Sequence, residues 1–290
     1  MIGVSDNVIT HGAPKDGAMS ADVMQQFDLA SLGAFGVQLT PRAGAGATLP
    51  PLSALLAIAR REKLVRVRGL AAMGREAFFA FGCSADARGE AALLQWDFGP
   101  IMELAVDPAA KNYLFSREPV PYHWDGAFHR VPSWLVFACQ DGGGTDESAE
   151  GGETTFCDTE SVLARATAAE RAQWRRVGLT YTTAKLAHYG GSFRTPLVTK
   201  HPTRRTETLR FAEPVTTALN PVTLAVDGVE PEAADALIAD VTRRTYEPGH
   251  SLALGWQTGD IVIADNHALI HGRRPLTTAS QRRILRLQVL

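Results

Sequence analysis

The sequence predicts a mainly β fold, an antiparallel sandwich or barrel with flanking helices. Short β-like runs surround the candidate site residues, strands do not alternate regularly with helices, and neither a repeat nor a long linker divides the 290 residues. A doubly wound parallel sheet is therefore disfavoured. Barrels and sandwiches reach this length as one unit, so we expect residues 1–290 to form a single domain.

The first predicted elements are a helix and a strand. Leu52 to Arg61 has apolar residues at helical spacing, and Leu64 to Leu70 then alternates apolar and polar residues. Bulky apolar residues from Trp134 to Gln140 predict a buried strand. The N-terminal segment, residues 1–60, carries no motif with a clear role, and the Gly- and acid-rich stretch 141–152 predicts a loop.

Two helices are expected in the second half of the chain. Thr159 is a candidate cap for a helix from Glu160 through Val177, and a proline in the first turn favours another helix from Pro231. Short β-like runs complete the pattern: LVT after Pro196, LRF at Leu209, IVIAD at Ile261 and ILRLQVL at the end of the chain.

Composition and charge exclude several classes of protein. Hydrophobic residues make up 45% and charged residues 21%, which indicates a globular chain with a sizeable core. A net charge of −2 without a Lys/Arg run argues against a nucleic-acid partner. No leader and no membrane-spanning stretch is recognisable, so we expect a cytoplasmic protein without a membrane partner. The cysteines, which lack a C-x-x-C pair, are expected to be reduced structural thiols: Cys83, Cys139 and Cys157.

The most informative segment is PYHWDGAF, in which His123 and Asp125 stand two residues apart. On an extended strand such side chains point to the same face, so an imidazole and a carboxylate can converge on one ion. A surface histidine beside a loop aspartate is the alternative for so short a motif. His271, in DNHALIHGRRPL, supports a metal site, because two imidazoles and one carboxylate form the facial triad typical of non-haem iron. Zinc accepts the same ligands.

Arginines near the C-terminus favour iron with a dicarboxylate cosubstrate. In QRRILRLQVL, Arg282, Ile284, Arg286 and Gln288 share one strand face. A buried guanidinium group is costly without a partner, and its fork matches a carboxylate. A solvent-facing edge strand with surface arginines is the alternative, and Arg283, which faces the other way, is expected to be such a surface residue.

Together these motifs resemble the TauD/TfdA family of dioxygenases. They are His123-x-Asp125, GGETTF from Gly151, the run from Gly259 to His271, and Arg282-x-x-x-Arg286. The segments HWDGAF, TKHP, LRFAEP and LIHGR look like the pyoverdine-chromophore or isonitrile-type (PvcB-like) subgroup. The resemblance covers the chain from about Leu64 to its end. It implies a double-stranded β-helix, or jelly roll, of the clavaminate synthase-like type.

The resemblance also implies the chemistry of the site. An Fe(II)- and 2-oxoglutarate-dependent dioxygenase that consumes O₂ is expected, with His123, Asp125 and His271 as the catalytic iron ligands. Arg282 matches the residue that grips the distal carboxylate of 2-oxoglutarate, and Thr154 matches a hydroxyl contact to the same molecule. Halogenases of this broad class replace the carboxylate ligand by a small residue. Asp125 therefore favours hydroxylation, desaturation or a related C–H oxidation.

The subgroup implies a small amino-acid-derived substrate from a specialised biosynthetic pathway. Arg286 could also support the cosubstrate pocket, Arg210 could instead pair with Glu213 or Glu207, and the aromatic candidates could be core residues. Product type and oligomeric state stay open. The candidate substrate contacts are Arg286, Arg210, Tyr122 and Phe128.

Two other classes of protein share parts of this pattern. A non-redox metal enzyme of the cupin type would not need Arg282 and Thr154. A non-catalytic binding module on the same barrel would be expected to lose a metal ligand, and all three are present. The remaining histidines are expected to be structural or at the surface: His129, His188, His201, His250 and His267.

Overall fold

Two β-sheets pack face to face around the candidate site residues. The computed structural model describes residues 21–85, 92–143, 151–186, 189–277 and 280–290. In these ranges the helices are α1 (Ala21–Gln26), α2 (Leu52–Glu62), α3 (Arg75–Cys83), α4 (Thr159–Arg165), α5 (Ala168–Trp174) and α6 (Pro231–Thr245). The strands are β1 (Phe27–Ser31), β2 (Val37–Pro41), β3 (Leu64–Val67), β4 (Met102–Leu104), β5 (Val120–His123), β6 (Trp134–Asp141), β7 (Thr154–Asp158), β8 (Gly178–Leu186), β9 (Tyr189–Pro196), β10 (Val198–Lys200), β11 (Glu207–Leu209), β12 (Val222–Asp227), β13 (Ser251–Leu254), β14 (Ile261–Asp265), β15 (Leu269–Arg273) and β16 (Arg283–Val289).

The larger sheet has the strand order β1-β2-β3-β14-β6-β16-β4, and the facing sheet has the order β13-β7-β15-β5. A three-stranded sheet, β12-β8-β9, and the pair β10-β11 lie beside them. Strand pairing is antiparallel throughout these sheets except between β2 and β3. The predicted mainly β architecture is therefore confirmed.

Three apolar layers hold the sheets and helices together. One fills the space between the two large sheets and includes Phe137, Phe156 and Trp256. A second lies where α2 and α3 cover the outer face of the larger sheet. A third lies between the four-stranded sheet β13-β7-β15-β5, helices α4 to α6 and the three-stranded sheet. Because β6 is covered on both faces, its sequence is continuously apolar rather than alternating.

Several sequence predictions are confirmed, and one helix prediction is wrong. The helix from Leu52, the helix from Pro231, and the strands at Trp134 and Ile261 form as expected. The helix expected from Glu160 through Val177 is two helices, because Ala166 is extended and Thr167 begins α5 with a capping box to Glu170. Asp158 caps α4, accepting bonds from the backbone of Glu160 and Ser161. The Thr159 hydroxyl donates instead to the Ala268 carbonyl at 2.8 Å.

Other elements carried no clear sequence signal. The β8–β9 hairpin, helix α3 and the β1–β2 hairpin were not predicted, and β1 and β2 extend the larger sheet through the segment without motifs. His188 and residues 144–150 of the predicted Gly-rich loop lie outside the described residues. The expected free thiols are confirmed, with Cys139 and Cys157 buried. No helix in the described ranges is long and apolar enough to cross a bilayer.

Candidate active site

Two histidines face each other across a strand pair of the four-stranded sheet. His123 ends β5 and is the antiparallel partner of His271 on β15. Their ring centroids are 4.3 Å apart. The His123 Nδ1 atom lies 3.0 Å from the Pro121 carbonyl, which leaves Nε2 free to bind a metal. Pairing of β5 with β15 thus brings together two imidazoles that are distant in sequence.

Asp125 reaches the same place by a turn, which corrects the expectation of a shared strand face. Strand β5 ends at His123, and Asp125 lies in the turn that follows. The buried Asn266 fixes this turn from both sides. Its Oδ1 accepts from the Asp125 backbone N–H at 3.0 Å, and its Nδ2 donates to the Asp125 carbonyl at 3.0 Å. The DN pair before His271 therefore has a structural reason, since Asn266 orients a ligand on another segment.

Gly126 makes this turn possible, and we expect Gly126→Ala to destabilise it. The residue has a φ of +91°, and an added Cβ would lie 2.3 Å from the Arg130 carbonyl oxygen. A non-glycine residue in such a conformation costs about 1–3 kcal/mol before any clash is counted. Thermal unfolding should show a clear fall in Tm. Gly74→Ala is the matched control, because nothing lies within 4 Å of its added Cβ; an equal loss in both variants would contradict this account.

The geometry and charge of the three side chains fit a metal ion. Asp125 Oδ1 lies 3.6 Å from His123 Nε2 and 3.8 Å from His271 Nε2. Burial alone would raise the pKa of Asp125, but Arg286 and the two imidazoles outweigh it and hold that pKa well below its usual range. Burial, with His123 nearby, lowers the pKa of His271 to about 3. An ionised carboxylate thus faces a neutral imidazole, the states that ligation requires.

A small cavity beside the histidines has the features of a dicarboxylate pocket. His123, His271, Thr154 and Arg282 all line it. Arg282 is buried, donates to the Gly152 carbonyl, and has an Nε atom without a partner. Burial lowers its pKa to about 9, which still leaves the group charged at neutral pH. Within the described ranges no carboxylate forms an ion pair with Arg282, so a bound anion would complete its contacts.

The Thr154 hydroxyl is oriented toward such an anion by its neighbour. The indole N–H of Trp256 donates to Thr154 Oγ1 at 2.9 Å. Because an indole nitrogen can only donate, the threonine proton is left for another acceptor. The carboxylate of a cosubstrate in the small cavity would be such an acceptor. Arg273 lines the cavity too, but its head already binds the carbonyls of Leu114, Ser116 and Glu118.

A larger cavity of about 250 Å³ is also lined by His123, and by Asp125. This volume is slightly below the usual range of small-molecule pockets, roughly 300–1,000 Å³, and suits a small ligand. Arg286 and Glu213 are among its few charged lining residues. Its wall is mostly apolar, and seven aromatic residues contribute to it: Trp96, Phe98, Tyr113, Phe115, Trp124, Phe128 and Tyr181.

The structure brings some predicted substrate contacts to this cavity and not others. Arg286 and Phe128 line it. Arg210 is not among the described lining residues, since its guanidinium binds the Asn266 carbonyl at 3.0 Å and His267 Nδ1 at 2.7 Å. Tyr122 is not a lining residue either, because its side chain is buried in the third apolar layer. The alternative of packing is therefore favoured for Tyr122.

The suggested ion pairs of Arg210 are also corrected. Glu207 pairs with Arg175 instead. Glu213 accepts from the Tyr122 backbone and from the Tyr246 hydroxyl. Arg210 is thus a structural residue that supports the turn carrying Asn266.

The other histidines behave mostly as expected. His201 binds Asp265, His250 binds Ser161, and His267 binds Arg210. His129 is exposed and lines the larger cavity. Arg283 is exposed and pairs with Glu103 at 2.8 Å, as expected for a surface residue.

Sequence reasoning missed the contacts of Asn266 and Gln288 with Asp125 and the place of Trp96 in the wall of the larger cavity. Gln288 was placed on the correct strand face, but its contact with Asp125 is visible only after folding. Trp96 lies in a segment that carries no motif. The DN pair was the one local signal that could have indicated Asn266.

Comparisons with known proteins agree with this geometry. The family model described as taurine catabolism dioxygenase TauD, TfdA family matches residues 35–288. The chain is 40% identical over 79% of its length to 3-((Z)-2-isocyanoethenyl)-1H-indole synthase from Fischerella ambigua, of which it covers 82%. It is 34% identical over 88% of its length to tyrosine isonitrile desaturase from Pseudomonas aeruginosa, of which it covers 87%.

A solved structure of similar architecture is also that of an iron-dependent oxygenase. It is that of PvcB, described as an Fe, alpha-ketoglutarate dependent oxygenase from an isonitrile synthetic pathway, with a TM-score of 0.72 and 30% identity over 96% of this chain and 95% of the other. The jelly-roll expectation is thereby confirmed. The chain belongs to the TauD/TfdA family and is an Fe(II)- and 2-oxoglutarate-dependent dioxygenase that acts on a small molecule.

Proposed function

We propose that this dioxygenase introduces a carbon–carbon double bond into the isonitrile of an aromatic amino acid. Two relatives that it resembles at 40% and 34% identity are named for an isocyanoethenyl indole and for tyrosine isonitrile. Both names describe products or reactions of amino-acid-derived isonitriles in specialised metabolism. The family match over residues 35–288 also supports the prediction of a single domain.

The observation that carries the proposal is that two cavities of different character meet at one set of metal ligands. His123 and Arg286 line both of them. The smaller cavity holds the buried guanidinium of Arg282, which has no carboxylate partner among the residues that the structure describes, and the larger one is mostly apolar and rich in aromatic rings. A dicarboxylate cosubstrate and an aromatic substrate would therefore reach the metal from separate cavities.

We assign the ligand roles accordingly. The Fe(II) ligands would be His123, Asp125 and His271. The ligand atoms of these three side chains lie within 4.8 Å of one another. Arg282 and Thr154 would bind the distal carboxylate of 2-oxoglutarate. The iron and 2-oxoglutarate together supply the oxidant that removes hydrogen from an unactivated C–H bond. The chain's own part is to orient the substrate and exclude water.

The aromatic wall would position the ring of the substrate. Rings in contact gain about 0.5–1.5 kcal/mol beyond the burial of area, which favours an indole or a phenol over an aliphatic side chain. Phe128 contributes to this wall, and Arg286 offers the cation nearest the ligands for a substrate carboxylate. We retain these two as substrate contacts and no longer assign that role to Arg210 or Tyr122.

The overall reaction balances without another reductant. Substrate, 2-oxoglutarate and O₂ give the alkene, succinate, CO₂ and water, and the two hydrogens lost from the substrate appear in the water. Hydroxylation would consume the same cosubstrates and retain oxygen in the product. Desaturation is favoured by the names of the relatives rather than by a motif.

The test is turnover of the isonitriles of tryptophan and tyrosine with Fe(II), 2-oxoglutarate and O₂. We expect consumption of at least one isonitrile, succinate in equal amount, and a product that contains an alkene, identified by mass spectrometry and NMR. Succinate formation that requires no isonitrile, or a product that only gains oxygen, would contradict the proposed desaturation.

A further inference from the structure

Asp125 has one carboxylate oxygen for the metal and another that the protein holds. Oδ1 is the oxygen near both imidazoles. Oδ2 accepts from Gln288 Nε2 at 2.6 Å and pairs with Arg286 at 2.8 Å. A carboxylate free to bind through both oxygens would take a further coordination position, and the facial triad needs its open positions for the cosubstrate and O₂.

The Gln288 side chain is fixed at its other end as well. Its Oε1 accepts from the indole N–H of Trp96 at 3.0 Å, and only 2% of the residue is exposed. The orientation of the amide follows from its partners. A carboxylate only accepts and an indole only donates, so the opposite orientation would lose both bonds. An amide is thus the neutral group that joins this donor to this acceptor.

Trp96 belongs to the wall of the larger cavity. Its ring stacks on the half-exposed Phe98, with centroids 6.2 Å apart, and both residues line the cavity together with Gln288. The backbone of the same segment is attached to β16, because Leu94 N–H donates to the Gln288 carbonyl at 2.8 Å. A ligand packed against Trp96 would therefore affect the position of the Gln288 side chain, which is bonded to Asp125.

We propose that Gln288 is a positioning residue that keeps Asp125 a one-oxygen ligand and links its orientation, through Trp96, to the larger cavity. Metal binding and the use of substrate are coupled by this path of two hydrogen bonds. The link rests on the proposed function only where it names the occupant of the cavity. The hold on Asp125 does not depend on the identity of the substrate.

Three variants separate the link from general stability. Gln288→Leu removes both hydrogen bonds with a side chain of similar size. Trp96→Phe removes only the N–H donor and keeps an aromatic wall. Arg283→Gln is the matched control, since it lies on the same strand but faces solvent, with 56% of its side chain exposed. Thermal unfolding of each variant reports any loss of folded protein.

The first measurement is the Kd for Mn(II) in the presence of 2-oxoglutarate, determined by EPR spectroscopy. Loss of an outer-shell partner typically weakens metal binding by roughly 10–100-fold. We expect the Kd to rise about tenfold in Gln288→Leu, at the lower end of that range, and by a smaller factor, about threefold, in Trp96→Phe. Arg283→Gln should stay at the wild-type Kd.

The second measurement is the amount of succinate formed per molecule of isonitrile oxidised, with the tryptophan or the tyrosine isonitrile, whichever the wild type consumes. We expect this ratio to rise in Trp96→Phe and to stay at the wild-type value in Arg283→Gln. If Trp96→Phe matches Arg283→Gln in both the Mn(II) affinity and the ratio, the link is overturned, whether or not Gln288→Leu folds. If the wild type oxidises no isonitrile, the proposed function fails, and the Mn(II) affinities still decide whether Gln288 positions Asp125.

Discussion

Replacing His271 by alanine is expected to abolish Fe(II) binding and turnover. The imidazole is one of three ligand groups, is buried, and is held neutral with its Nε2 near Asp125 Oδ1. Changes to residues that only support metal ligands typically weaken binding by roughly 10–100-fold, so loss of a ligand should exceed that range. Anaerobic titration with Fe(II) and 2-oxoglutarate measures this through the visible charge-transfer band of the chelate.

The control for this variant is His129→Ala. His129 is exposed at the larger cavity and is not one of the ligand groups, so the band should form in that variant as in the wild type. A normal band in His271→Ala would show that the ligand set is misassigned. If the wild type itself gave no band and instead bound zinc stoichiometrically, a non-redox metal enzyme would be the better explanation.

The identity of the ligands could be predicted from sequence because it depends on short motifs. His123 and Asp125 are close in the chain, and His271 follows a recognisable strand. How Asp125 reaches the metal could not be predicted. The interpretation assumed a continuous strand, whereas β5 ends at His123 and a turn held by Asn266 brings the carboxylate into place. Several local conformations can join the same residues, and tertiary contacts select one of them.

The surroundings of the ligands were harder to predict than the ligands. The two-residue period of a strand placed Arg282 and Arg286 on one face. Both residues line the small cavity, although β16 begins only at Arg283 and Arg282 lies just before it. The partner of Arg210 did not follow, because its head binds the turn at Asn266 rather than an acidic residue nearby in sequence. Trp96 was invisible for the same reason, since its role depends on contacts made only when its segment packs on β16.

Arg282→Ala is expected to raise the concentration of 2-oxoglutarate required for turnover, with a smaller effect on kcat. The guanidinium is buried and has no carboxylate partner within the described ranges. Truncating one member of a buried charge pair costs about 2–5 kcal/mol, which corresponds to roughly a 30-fold to several-thousand-fold rise in KM. Initial rates measured against 2-oxoglutarate concentration provide the test.

A shorter cosubstrate and a second arginine make this test specific. 2-Oxobutyrate has the chelating oxo acid but no distal carboxylate, so its weak binding should be the same in the wild type and in Arg282→Ala. Arg274→Ala should leave both affinities unchanged, because Arg274 is exposed and pairs with Glu153. Wild-type affinity of Arg282→Ala for 2-oxoglutarate would show that another residue binds the distal carboxylate. An equal loss of affinity for both oxo acids would mean that Arg282 supports the fold of the cavity rather than the anion, since only 2-oxoglutarate carries the group that the arginine is assigned to bind.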